Sequence, residues 1–188
     1  IIRGEKASQA IILINKLKIF DYIQSEKNLI FLDLEKINFE EFNKFEKEKF
    51  LPLFYLVQIL DEFSLKNLKF SKSDISKIRL LRKWNFLLKM QTIYEFNERE
   101  RFDLHQELET ILPSFILFLP KNFYIDWLCR WRDKNDKLFH PTNFLNGDVI
   151  KKYLKIKDGP ILGELLQYLS KELAYKRLNN FDEAIYKA

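Results

Sequence analysis

The chain has 188 residues and a net charge of +5, with 47% hydrophobic and 31% charged residues. That length accommodates one sizeable core, or a domain plus an appendage, and the composition fits a soluble globular chain. A single Cys excludes an internal disulfide framework, and no apolar run reaches the roughly eighteen residues of a membrane span. The first residues lack the pattern of a signal peptide, and one Cys fits a reducing compartment, so a cytoplasmic location is expected. Four Gly and five Pro leave few turn points, which favours long helices. The only Met is Met90 and the chain opens at Ile1. Residues 180–188 read as a capped helix that stops abruptly, so a piece of a longer protein is expected.

In chain order, apolar positions 7, 10, 11, 14, 17 and 20 follow the spacing of one helical face and predict a helix over 5–24. Residues 25–38 have no clear period. Asn38 is placed to cap a helix carrying Phe39, Phe42, Phe45 and Phe50, with Glu40, Glu41, Lys44, Glu46, Lys47, Glu48 and Lys49 as its solvated face. Pro52 fits the first turn of a further helix, Leu53 to Phe63, apolar almost all round and hence central in the core. Ser71 is placed to cap a long helix from about Asp74 to Phe96 that buries Ile75, Ile78, Leu81, Leu87 and Leu88. A helix from Glu98 to Leu112 should stop at Pro113, and a short apolar turn from Phe115 to Leu119 at Pro120. Asn122 to Arg132 reads as helix with Phe123, Trp127 and Trp131 on one face. No hairpin turn joins alternating strands. The fold class is all-α, an irregular multi-helix bundle with a C-terminal helix–turn–helix hairpin.

The residues offer little catalytic chemistry. His105 has no second His or Cys one turn away and reads as a surface or boundary residue rather than a metal ligand. Cys129, between Trp127 and Trp131, reads as a buried inert thiol. No glycine-rich phosphate loop follows a strand and no serine nucleophile elbow is present. No catalytic or metal-binding residue is assigned.

Binding chemistry concentrates between Arg130 and Leu169. From Arg130 to Lys157 there are eight Lys and Arg against three Asp, a net of +5 equal to that of the whole chain. Gly147-Asp148 is placed to open a helix to about Lys155, with Lys151, Lys152 and Lys155 on its charged face. Gly159 turns the chain, Pro160 suits a first helical position, and Gly163 would let another backbone approach closely. Amides at such a helix start, beside Lys155 and Lys157, would suit a phosphate. The same features describe an efficient turn between two packed helices with a solvated lysine face, and both readings stand. Arg130-Trp131-Arg132 has the same ambiguity: an RNA-binding arginine, or a tract anchored by a core Trp131.

The run Leu145-Asn146-Gly147-Asp148, followed by Gly159-Pro160-Ile161-Leu162-Gly163-Glu164-Leu165-Leu166 and Leu169, resembles the C-terminal portion of bacterial tRNA nucleotidyltransferases, the CCA-adding and poly(A) polymerase family. Arg130-Trp131-Arg132-Asp133 with His140-Pro141 is similar to the cyanobacterial branch. Asn67-Leu68-Lys69-Phe70-Ser71-Lys72 before a long helix resembles the family's body domain. Asp148 follows Gly147 directly where the family has an intervening residue, Val149 stands for its Leu and Leu162 for its Ile. The resemblance implies the end of a neck-like region over 1–25, a helical body over 26–139 and a truncated, tail-like helical hairpin over 140–188. It implies tRNA as partner, with the acceptor–T-arm backbone gripped by Lys151, Lys152, Lys155, Lys157 and the Gly159 turn, then by Arg130 and Arg132. Duplex RNA is recognised mainly through phosphates and 2′-hydroxyls, which suits such a grip. In that family Mg²⁺ and the choice of CTP or ATP belong to a head and a neck. No head and no Glu-Asp-x-x-Arg motif occurs here, so no cofactor is expected for this portion and it should be inactive alone. A helical protein-interaction or dimerisation module without RNA binding, exposing some of the 18 Phe and compatible with a homodimer, is the competing expectation. A third is an enzyme with a pocket among its helices.

Overall fold

The structure, a computed structural model, describes residues 2, 4, 6–22, 39–141, 147–155, 157, 159–178, 183 and 186. Among them every regular element is helical. In order these are α1 (Ala7–Lys16), α2 (Lys44–Ile59), α3 (Glu62–Asn67), α4 (Lys72–Met90), α5 (Glu98–Leu108), α6 (Leu112–Ile116), α7 (Tyr124–Arg132), α8 (Gly147–Leu154) and α9 (Pro160–Ala174). Short 3-10 helices cover Ile19–Tyr22 and Lys121–Phe123. The all-α reading therefore holds. The chain divides into two compact units, one of Ile1–Ile93 with Thr110–Leu128, the other of Tyr94–Glu109 with Cys129–Ala188.

In the first unit α2 packs against α4 and α6, and α3 and α6 also pack on α4. Phe50, Phe54, Leu65, Ile78, Leu81, Phe115 and Ile116 are buried there. Full burial of each such side chain is worth about 1.5–3 kcal/mol. Phe54 meets Phe118 with ring centroids 4.9 Å apart. The Ser114 hydroxyl donates to the Phe50 carbonyl at 2.9 Å, tying α6 to α2. The tyrosine and serine hydroxyls of Tyr55 and Ser8 lie 2.8 Å apart and join α1 to α2.

Several boundaries differ from the sequence expectations for local reasons. The first helix ends at Lys16 and Lys18 takes a left-handed φ of 55°, so the expected 5–24 helix is a helix followed by a 3-10 turn. The cap at Asn38 and the tract 25–38 lie outside the described residues. The helix that follows is capped by Asn43, whose side chain accepts from the Glu46 amide while Glu46 accepts from the Asn43 amide. That capping box buries Glu46, which was expected in the solvated face. Pro52 lies inside α2 rather than at a helix start. A proline there removes one helical bond, and here the ring is itself buried in the core. The break falls instead at Leu60-Asp61, where the Asp61 carboxylate accepts from the Ser64 amide and starts α3. Ser71 caps α4 as expected, accepting from the Asp74 amide. Of the five residues expected to be buried by α4, only Ile78 and Leu81 are, joined by Trp84; Ile75, Leu87 and Leu88 are half-buried. Pro113 does not end α5, which stops at Leu108, but sits in the first turn of α6. Most of the expected terminal helix, 180–188, lies outside the described residues.

In the second unit α9 packs against both α5 and α8. The Tyr175 hydroxyl donates to the Glu98 carbonyl at 2.8 Å, and Arg177 bonds both Glu98 and Glu172, the latter at 3.1 Å.

Among the described residues four non-glycines have positive φ: Lys18, Lys69, Lys155 and Lys176, each just beyond a helix end. At Lys69 and Lys176 the chain closes a full Schellman turn. Lys69 N–H bonds the Lys66 carbonyl and Phe70 N–H the Leu65 carbonyl; Lys176 N–H bonds the Leu173 carbonyl and Arg177 N–H the Glu172 carbonyl. A side chain at left-handed φ costs about 1–2 kcal/mol, partly offset by a lysine's attraction to the helix C-terminus. Lys176→Gly should therefore raise the melting temperature by about 2–4 °C, and Lys176→Val should lower it, as read by circular dichroism. Equal melting of both variants would refute this account of the turn.

Candidate nucleic-acid interface

The segment of highest expected function is a helical hairpin with its own small core. Ile150 of α8 and Leu162 and Leu169 of α9, with Leu178, are buried together, and Leu154, Leu165 and Leu166 pack against them. The spacing in α9 puts these leucines on one stripe, and α8 lies along it. A Cβ at Gly147 would stand 3.5 Å from Leu166 Cδ1 and 3.7 Å from Leu162 Cδ2, ordinary contact distances, so α8 starts directly on α9. Pro160 opens α9 as expected. Gly159 is its N-cap with φ 164° and ψ 179°, extended backbone that any residue adopts. The Gly159 carbonyl accepts from the Leu162 amide at 3.1 Å and the Gly163 amide at 3.4 Å. Since Pro160 has no N–H, the Ile161 amide is what the first turn of α9 can offer a ligand, and Ile161 is 74% exposed.

Nothing lies within 4 Å of a Cβ built at Gly159 or at Gly163. Among the described residues no backbone makes the close approach expected at Gly163, so that glycine is a weak point of α9.

The basic residues divide sharply. Lys152, Lys155 and Lys157 are exposed, within six residues where α8 gives way to α9. Lys155 itself ends α8 with φ 54°. Lys151 instead bonds the Asp148 carboxylate one turn back at 2.6 Å and is three-quarters buried. Arg132 is exposed at the end of α7. Arg130 is engaged inside the protein: Nε donates to Asp136 Oδ2 at 2.8 Å and its guanidinium lies 4.4 Å from the centre of the Phe139 ring.

That arginine belongs to a knot formed by residues 130–140 with the end of α5. Asp136 Oδ1 accepts from the amides of Leu138 and Phe139 at 3.0 and 3.2 Å. Burial would raise the Asp136 pKa, but Arg130 and those two amides outweigh it and hold the carboxyl below its ordinary range. The Trp131 indole N–H donates to the Glu109 carbonyl at 2.8 Å. His140, buried, has Nδ1 3.0 Å from the Glu109 carboxylate and Nε2 2.6 Å from the Trp131 carbonyl. His105 stacks near Phe139, centroids 4.1 Å apart, and is 2% exposed. It is thus a core residue and not the surface or boundary histidine expected. Cys129 likewise departs from expectation, being exposed while Trp127 and Leu128 are buried.

Sequence reading missed this knot because its pairs are far apart: His140 and Glu109 are separated by 31 residues, Trp131 and Glu109 by 22. The one local signal is Asp136, whose side chain caps the amides two and three residues on, as aspartates in turns do. Among the described residues no group of three or more His, Cys, Asp or Glu is arranged to hold a metal ion.

No protein-family model matches the chain, and comparison with curated proteins and with solved structures likewise found no match. The resemblance to tRNA nucleotidyltransferases therefore rests on the segments quoted above.

Two outcomes check this description. Gly163→Ala, at an exposed helix position with open space, should stabilise the chain by about 1 kcal/mol in urea unfolding, whereas a clash there would lower the midpoint. Burial, then the nearby Arg130, hold the His105 pKa down at about 3 against an ordinary 6.5. The folded state therefore favours neutral imidazole, and between those values the unfolded chain binds the extra proton. The contribution is complete above about pH 6.5 and is lost as pH falls, at about 1.4 kcal/mol per pH unit. Between pH 6.5 and 5, His105→Leu should flatten the fall of the urea midpoint; an unaltered slope would show that His105 is not the group responsible.

Proposed function

We propose that the chain is the RNA-binding, body-and-tail portion of a tRNA nucleotidyltransferase, gripping the acceptor–T-arm backbone of tRNA while its 3′ end is extended by CCA addition. One observation carries the reading: Lys152, Lys155 and Lys157 stand exposed together at the turn into α9, beside the exposed start of that helix. Three ammonium groups and a helix N-terminus form a positive surface, which suits phosphate oxygens. The quoted sequence resemblance supplies the choice of tRNA over other polyanions. Arg132, exposed nearby in the sequence, is a secondary contact; Lys151 and Arg130 act by holding the local fold, since both are already bonded to carboxylates. In this reading nucleotide selection, Mg²⁺ binding and transfer lie with head and neck residues outside this chain, and the site works in a reducing, cytoplasmic setting. The portion alone binds tRNA weakly and with a steep salt dependence, because few phosphates are contacted.

A second reading, a protein-interaction or dimerisation module, is favoured by α1 and the turn after it. Leu13, Leu17 and Tyr22 are all more than half exposed. It predicts a concentration-dependent mass and no salt-sensitive RNA binding.

Titration of tRNA at 50 and 200 mM salt separates the two. Wild type should lose affinity steeply with salt, and Lys152→Glu with Lys155→Glu should weaken binding at least tenfold and reduce the salt slope by about 1.5. Unchanged affinity in the double variant would overturn the assignment.

A further inference from the structure

The richest concentration of positive charge lies not in the hairpin but in the first unit. Between Lys66 and Lys89 there are eight Lys and Arg against a single Asp, a net charge of +7 in a chain of +5. Part of it is used internally. Arg82 donates to the carbonyls of Val57 and Leu60 at the end of α2, Glu62 bonds both Arg79 and Lys66, and Lys83 Nζ lies 4.9 Å from the centre of the Trp84 ring while its side chain stays exposed. What faces outward is ordered. Lys72, Ser76, Arg79, Lys83, Phe86 and Met90 recur at helical spacings of four and three residues, so they form one stripe along α4, and all six are exposed. The stripe spans about 27 Å at 1.5 Å per residue. Its first half is cationic; its second half presents Phe86 at 61% and Met90 at 72% exposure, with Lys89 exposed beside them.

Phe86 stands exposed on this face between Lys83 and Lys89, three residues either side. Its chemistry decides the partner. A duplex backbone offers phosphates but no unpaired face for the ring, whereas a single strand offers both a phosphate track and a base free to stack. A lipid surface would need a continuous apolar face. That of α4 is already buried through Ile78, Leu81 and Trp84, leaving only Phe86 and Met90 outside. We infer that the outward face of α4 is a binding surface for single-stranded RNA, with Lys72 and Lys83 on phosphates and a base stacked on Phe86. This surface is distinct in residues from the hairpin and does not depend on the hairpin's assignment.

The test uses the full 188-residue chain and a fluorescent twelve-nucleotide oligouridylate followed by anisotropy. Wild type should bind it more tightly than a duplex of the same length. Phe86→Ala and Phe86→Leu should each weaken binding about tenfold, while Phe86→Tyr, which keeps a ring to stack on, should retain it. Lys72→Glu with Lys83→Glu should weaken binding and flatten its salt dependence. Lys152→Glu with Lys155→Glu should weaken tRNA binding more than oligouridylate binding, and Phe86→Ala the reverse, so the two surfaces fail separately. Unfolding midpoints are compared throughout, and exposed positions should not shift them. Wild-type affinity in Phe86→Ala overturns the proposal. So does equal binding of duplex and single strand, or equal binding of polyglutamate or phosphatidylserine vesicles.

Discussion

Each helix leaves about four amides and four carbonyls without partners at its ends, and a chain of many helices with four glycines must satisfy them with side chains. The starts are met by short polar residues. Asn43, Asp61, Ser71 and Asn97 accept from amides of the first turn, two of them reciprocated by Glu46 and Glu100. The ends are met by lysines in left-handed conformation and, at α2, by Arg82, whose guanidinium gathers two carbonyls of the adjoining turn. Each such cap is worth about 1 kcal/mol, a large share of a typical domain's net stability.

The same chemistry sorts the two kinds of cation. Arginine appears where a planar fork can hold fixed acceptors: Arg79 on Glu62, Arg101 on the Tyr94 carbonyl, Arg130 on Asp136, Arg177 on Glu98 and Glu172. Many lysines stay at the surface, as at Lys72, Lys89, Lys152, Lys155 and Lys157, while Lys66 and Lys151 are paired with Glu62 and Asp148. A count of positive charge along the sequence cannot tell these apart. The excess between Arg130 and Lys157 looks uniform in the sequence, yet Arg130 and Lys151 are bonded within the protein while the three lysines at the hairpin turn face solvent.

Local signals were legible. Ser71 before a periodic run, Pro160 after Gly159, and the apolar density of residues 53–63 led to the start of α4, the start of α9 and the heart of the first unit's core, although Phe63 is exposed. What escaped was decided at long range. Pro52 reads as a helix start until the core that buries it is known. His105 reads as a surface residue beside Glu107 and Glu109 until Phe139 is brought against it from 34 positions away. Cys129, flanked by two tryptophans, reads as buried, but residues two apart point different ways around a helix, so it faces out while Trp127 is buried and Trp131 bonds the Glu109 carbonyl. Gly163 shows the opposite error: a residue whose absence of side chain suggested a contact lies in open space.

The order in which the units use the chain has a bearing on synthesis. The first unit needs residues 110–128 to complete it, and the second begins with 94–109, already made by then. Ser114 reaches back 64 positions to Phe50, so α2 waits for α6 before that bond can close. During translation, helix α5 therefore emerges well before α9, which it is to hold. A nascent chain of this protein carries unfinished apolar surface from both units at once, until α7 has been made as far as Leu128.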